Sequence, residues 1–110
     1  MTGAPEDLSP ARAAELLRDG AQGVDVREQY ERDAGHIADT LHIELEQLAA
    51  EADTLDRERP VVFYCRTGSR SALAAQAFAA AGFEAHNLDG GLKAWVNEGL
   101  PLEPADGHVA

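Results

Sequence analysis

A single cysteine in 110 residues leaves this chain without an internal disulfide, and a lone thiol fits a reducing compartment. No stretch approaches the ~20 apolar residues that span a bilayer. The start, Met1-Thr2-Gly3-Ala4-Pro5-Glu6, has neither a basic region nor an apolar run, so no signal peptide is expected and the cytoplasm is the expected location. Basic residues are few, 9 against 20 acidic ones. The resulting net charge of −11 argues against nucleic acid and against anionic membrane surfaces as partners. His36, His42, His86 and His108 are scattered, and no Cys/His pair has metal-ligand spacing, so no metal is expected. There is no internal repeat and no low-complexity linker. With 45% hydrophobic and 26% charged residues the composition is that of a globular chain. The length suits one domain over 1–110, with an ordered core over about 7–103 and a mobile tail over 104–110, where Pro104 forbids helix.

One further absence is local. From Arg59 to Phe83 there is no Asp or Glu, although acids dominate the rest of the chain. Inside that gap lies Val61-Val62-Phe63-Tyr64-Cys65-Arg66-Thr67-Gly68-Ser69-Arg70-Ser71. Four apolar, β-prone residues predict a short buried strand, and the only cysteine follows at once. A Gly-containing polar loop leads to an alanine-rich helix over Ser71 to Ala81. Strand, tight loop and helix aim several backbone N–H groups, and the positive end of the helix dipole, into one concavity. A thiol there should drop from ~8.5 into the range of roughly 3.5–7.5 found at helix N-termini or beside cations. Arg66 and Arg70, with no acid near in sequence, predict a site for a small anion.

The rest of the chain reads as short strands alternating with helices. Leu8 suggests an edge strand. Ser9-Pro10 opens a helix, with Ser as N-cap and Pro at the first helical position, and Gly20 stops it. Val24-Asp25-Val26 predicts a strand, the charged segment Arg27 to Asp33 one or two helical turns, and Leu41-His42-Ile43 another strand. From Glu44 the positions of Leu45, Leu48, Ala49 and Ala52 predict a helix with its acids outward. Phe83 to Leu88 is a fifth strand, and Leu92, Trp95 and Val96 mark a last short helix ending at Gly99. The alternation predicts an α/β fold with βαβ crossovers and a mainly parallel sheet covered on both faces. Ligands of such sheets bind at the carboxyl ends of the strands, where Cys65 lies.

Three blocks in register resemble the single-domain rhodaneses, a sulfurtransferase family. They are Asp25-Val26-Arg27-Glu28 with Gly35-His36-Ile37; Cys65-Arg66-Thr67-Gly68-Ser69-Arg70; and Gly90-Gly91, Ala94-Trp95, Gly99 and Pro101. Together they run from about Leu8 to Glu103. The resemblance implies a three-layer α/β/α domain with a central, mainly parallel five-stranded sheet. It implies a thiosulfate sulfurtransferase in which Cys65 takes sulfur from an anionic donor as a persulfide and passes it to cyanide, a thiol or a protein acceptor. Arg66, Thr67, Gly68, Ser69 and Arg70 would bind the donor. The chain departs from the family at Asp39-Thr40 and His42-Ile43-Glu44, where small residues and an Asn-Ile-Pro-like turn are usual.

Two other readings stand beside this one. Cysteine phosphatases and related arsenate reductases carry an arginine six positions after the cysteine; here that position is Ser71 and the arginine is one earlier, at Arg70. A non-catalytic rhodanese-like module for protein binding or sulfur relay is the other, although such modules often lack the cysteine. Asp25 and Arg27 are expected to tie neighbouring loops together, His36 to be a structural hydrogen-bonder, and Trp95 to be core.

Overall fold

The computed structural model describes residues 5–110; the first four, which the expected ordered core over about 7–103 leaves out, lie outside the described residues. Five strands form one sheet: β1 (Glu6–Leu8), β2 (Gln22–Asp25), β3 (Leu41–His42), β4 (Val61–Tyr64) and β5 (Ala85–Leu88). Their spatial order is β1-β5-β4-β2-β3, and every pairing is parallel. Three helices lie between strands, α1 (Pro10–Arg18), α2 (Gln29–Ala34) and α3 (Ser69–Ala80), and α4 (Gly91–Asn97) follows the last strand. No helix among the described residues is long and apolar enough to cross a membrane.

Strand β4 is the centre of the sheet, and all four of its residues are buried. Successive side chains on a strand point to opposite faces, so it feeds two cores. Val61, Phe63 and the following Cys65 join Ala74, Ala75, Phe78 and Ala79 of α3 on one side. Val62 and Tyr64 join Ala13 and Ala14 of α1 and Leu92 and Trp95 of α4 on the other. Small residues on α3 let it lie close to the sheet, and Phe63, Phe78 and Phe83 stack in tilted pairs with centroids 5.1 Å apart. Each fully buried Val or Phe of β4 contributes about 1.5–3 kcal/mol.

Local signals position several ends as the sequence predicts. The Ser9 hydroxyl accepts from the Arg12 N–H at 3.2 Å and Pro10 opens α1. Asp25 and Arg27 form a fully buried pair: Nε donates to Oδ1 and Nη2 to Oδ2, each at 2.8 Å. Nη2 also donates to the Gly35 carbonyl at 2.8 Å, which ties the end of β2 to the end of α2. His36 exchanges main-chain hydrogen bonds with Glu103, and Trp95 is buried with its Nε1 donating to the Pro101 carbonyl.

Other expectations need correcting. The stretch after Glu44 is not one helix but two 3-10 turns, Leu45–Gln47 and Ala52–Thr54. The main chain there is tethered to the sheet edge, with Ile43 N–H donating to Asp25 and Leu45 N–H to Val26. Glu44, Glu46, Glu51 and Asp53 add like-charge repulsion that a continuous helix would concentrate. Strand β5 starts at Ala85 rather than Phe83, because the Phe83 N–H closes the end of α3 on the Phe78 carbonyl and its ring enters the core. The tail over 104–110, expected to be mobile, folds back on the domain. His108 N–H donates to Ala34, Val109 packs beside the α1/α4 core, and the Ala110 carbonyl accepts from Arg66 Nε at 2.9 Å.

Candidate active site

Helix α3 begins at Ser69, two residues earlier than the alanine run alone suggests. Gly68 makes this possible by serving as N-cap with φ +102°, a left-handed conformation that glycine adopts freely. The loop after β4 is therefore only Cys65 to Gly68, and the unpaired N–H groups of the first helical turn fold over the cysteine. Cys65 Sγ accepts from Gly68 N–H at 3.1 Å and from Ser71 N–H at 3.5 Å. The Ser71 hydroxyl oxygen lies 3.3 Å from the same sulfur. Cys65 is completely buried.

Burial pushes the Cys65 thiol up, but the Ser71 hydroxyl and the N–H groups of Ser71, Gly68 and Thr67 pull it down further, and the net position is below the ordinary thiol value. The direction is the one the strand-loop-helix pattern predicts.

Helix α4 closes the loop from behind. Leu92 N–H donates to the Cys65 carbonyl at 2.9 Å and Lys93 N–H to the Arg66 carbonyl at 3.1 Å. Gly91, with φ +63°, permits this contact: a Cβ on it would stand 2.5 Å from the Arg66 carbonyl oxygen. Gly91 is thus a docking requirement for the cysteine loop.

The two arginines behave differently from the sequence expectation. The acid-free window holds along the chain but not in space, because Glu31 of α2 meets Arg70. Nη1 and Nη2 donate to Oε1 and Oε2 at 2.8 and 2.9 Å. The Arg70 hydrogen bond holds Glu31 below the usual carboxylate range, and Glu31 raises Arg70 in turn. Arg66 meets no side-chain carboxylate among the described residues; its Nε donates to Ala110. Thr67 and Ser69 are exposed on the loop, and Gly68 is buried. Beside Arg70, an open hollow of about 350 Å³ is lined by Val26, Glu28, Glu44, Leu45 and Glu46. Glu44, one of the departures noted above, thus lies on its rim. Thr40 does not: it is buried, and its hydroxyl donates to the Ile37 carbonyl at 2.7 Å and lies 3.0 Å from the Tyr64 hydroxyl.

Sequence reasoning missed two residues. Ser71 closes the cradle, and its signal was a hydroxyl in the first turn of a helix that follows a cysteine loop. Asn87 of β5 gave no signal. It reaches the loop only through the sheet, with its Oδ1 accepting from the Ser71 hydroxyl at 2.6 Å. Among the described residues no group of three or more His, Cys, Asp or Glu is arranged to hold a metal ion.

Residues 9–98 match the model of the rhodanese-like domain. The chain is 34% identical over 100 residues to the thiosulfate sulfurtransferase GlpE of Pseudomonas aeruginosa (strain LESB58), covering 90% of this chain and 87% of that protein. It is 33% identical over 101 residues to the GlpE of Actinobacillus pleuropneumoniae serotype 7 (strain AP76), covering 90% and 94%. Among solved structures it is similar to a rhodanese-related protein from Thermoplasma volcanium, with a TM-score of 0.83 at 28% identity over 88% of this chain and 96% of that one.

Proposed function

The chain belongs to the rhodanese-like domain family, and on that premise we propose that it is a thiosulfate-type sulfurtransferase that works through a persulfide on Cys65. The observation that carries the reading is the cradle of main-chain N–H donors around Cys65 Sγ at the carboxyl end of β4. Donors aimed at a sulfur favour its anionic form, which is the nucleophile.

In the first half-reaction the thiolate attacks the outer sulfur of thiosulfate. A bond forms between that sulfur and Sγ, the S–S bond of the donor breaks, and sulfite leaves with the electron pair. The negative charge on the new persulfide falls within reach of the same N–H groups, so the cradle serves both states. In the second half-reaction a nucleophile such as cyanide or a thiol takes the outer sulfur, and the Cys65 thiolate returns. No metal or organic cofactor takes part. Arg66 supplies positive charge for the anionic donor, whereas the charge of Arg70 is largely matched by Glu31. Thr67, Gly68 and Ser69 contribute main-chain shape and N–H groups. The acceptor is a small thiol or a thiol on a protein. A thiol that must stay reduced suits the cytoplasm. The phosphatase reading is weaker, because the position that needs its arginine holds Ser71, whose hydroxyl oxygen lies between the sulfur and Asn87.

The test is intact mass before and after brief incubation with thiosulfate, then after cyanide. The expected result is a gain of one sulfur atom that cyanide removes and that Cys65→Ser lacks. No gain on reduced, folded protein with thiosulfate or another sulfane donor would overturn the reading.

A further inference from the structure

The Ser71 hydroxyl has one proton and two acceptors within reach. Asn87 Oδ1 is 2.6 Å away and Cys65 Sγ is 3.3 Å away. The orientation of the Asn87 amide is not free. Its Nδ2 donates to Asp7 Oδ1 at 3.0 Å and to the Gly68 carbonyl at 3.3 Å. Both partners accept only, so the amide oxygen must face Ser71. Asp7 stands directly beside Asn87 in the β1–β5 register, which fixes the pair through the sheet. With the amide so held, the shorter contact takes the Ser71 proton, and a hydroxyl lone pair faces the sulfur.

That arrangement suits one protonation state of Cys65 and not the other. A thiol can donate its S–H to the Ser71 oxygen. A thiolate cannot, and it gains the hydroxyl as a donor only if the proton turns from Asn87 to the sulfur, which leaves a buried amide oxygen short of a partner.

We propose that Asn87 is a positioning residue that holds the Ser71 hydroxyl proton away from Cys65 at rest, so that the sulfur receives its full set of donors only when Ser71 turns to it. Asn87 then restrains the nucleophile, and Asp7, on the edge strand, sets that restraint from outside the loop. The charged side chains on the elements packed around the cysteine loop are Arg66 from the loop itself, Arg70 from α3, Glu31 from α2, Lys93 from α4 and the Asp25–Arg27 pair at the end of β2. Tyr64, beneath the loop, is pushed up to about 12, mainly by burial. His42 is turned away onto the Arg27 carbonyl at 2.7 Å.

The proposal rests on Cys65 being the reacting group, but its test reads the thiol with no sulfur donor present, so it stands or falls separately from the sulfurtransferase reading. The measurement is the thiolate absorbance of the full chain against pH for the wild type, Asn87→Leu, Ser71→Ala and the double variant, with circular dichroism to confirm folding. Asn87→Leu should lower the midpoint by about one pH unit, the size of one hydrogen bond to a charged group. Ser71→Ala should raise it, and in the Ser71→Ala background the Asn87 substitution should have no effect. An equal Asn87 effect in both backgrounds would mean that Asn87 acts through Gly68 and the loop, and the proposal would be wrong. A raised or unmoved midpoint in Asn87→Leu alone would also overturn it. If Asn87→Leu does not fold, Asp7→Ala, an exposed change on the edge strand, replaces it. It should shift the midpoint the same way by a smaller amount, again only when Ser71 is present, and no shift would count against the proposal.

Discussion

Arg70, in the first turn of the helix that covers Cys65, is held by both oxygens of Glu31 from a helix 39 residues earlier. Glu31 is almost fully buried, whereas about a third of the Arg70 side chain is exposed. The two ends of this pair are therefore not equivalent. Removing the arginine strands a buried carboxylate; removing the carboxylate leaves an arginine that can turn to water.

Arg70→Ala should for that reason cost more stability than Glu31→Gln. The arginine variant should lose about 3 kcal/mol, in the range found when a buried charge is left alone, and the glutamine variant about 1 kcal/mol. Urea unfolding of both variants measures this. An equal or reversed order would show that Glu31 reaches water when Arg70 is gone.

The same pair gives a pH dependence of defined sign. Glu31 is depressed in the folded protein by Arg70, so its contribution is fully present above the unfolded carboxyl value of about 4.5 and is lost as pH falls through the lower folded value. Stability should therefore decline with acid below about pH 4.5, and Glu31→Gln should decline less steeply over that interval. Parallel acid limbs for the two proteins would place the sensitivity in other carboxylates.

Arg66 and Arg70 should separate kinetically. Arg66 is free of any side-chain carboxylate among the described residues, and Arg70 carries its own counter-ion. Arg66→Ala should raise the KM for thiosulfate several-fold, and Arg70→Ala should raise it less. Steady-state transfer to cyanide measures both, with a neutral persulfide donor as control, for which the Arg66 effect should shrink. A larger KM effect at Arg70 would mean that the donor displaces Glu31.

Gly91 and Gly99 both have positive φ, yet their substitutions should differ. Gly99→Ala meets no atom within 4 Å and should cost only the left-handed strain, about 1–2 kcal/mol. Gly91→Ala carries the same strain and also drives a Cβ into the Arg66 carbonyl and the Thr67 nitrogen. It should cost more and also reduce persulfide formation, because the loop must shift to admit the methyl group. Thermal unfolding together with intact mass after thiosulfate tests the pair.

The features legible in the sequence are those made by neighbours along the chain. Val61 to Tyr64 dictates a strand buried on both faces, Gly68 a tight reversal, and the alanines after it a helix. These three together force the first-turn N–H groups onto Cys65 whatever surrounds them. Ser9-Pro10 sets the start of α1 in the same local way. The helix expected after Glu44 was not recoverable, because its main chain is claimed by Asp25 and Val26 on a neighbouring strand. The charge state of Arg70 and the direction of the Ser71 proton were equally out of reach. The first depends on Glu31, delivered by α2; the second depends on Asn87 and Asp7, brought together by the pairing of β5 with β1. By itself the sequence determined the place of Cys65 at the end of β4 and the main-chain donors of its own loop, since these follow from backbone geometry over a few residues. Which arginine meets a side-chain carboxylate, and which side chains surround the Ser71 hydroxyl, the tertiary structure alone decided, because buried polar groups are satisfied by whatever the fold places beside them.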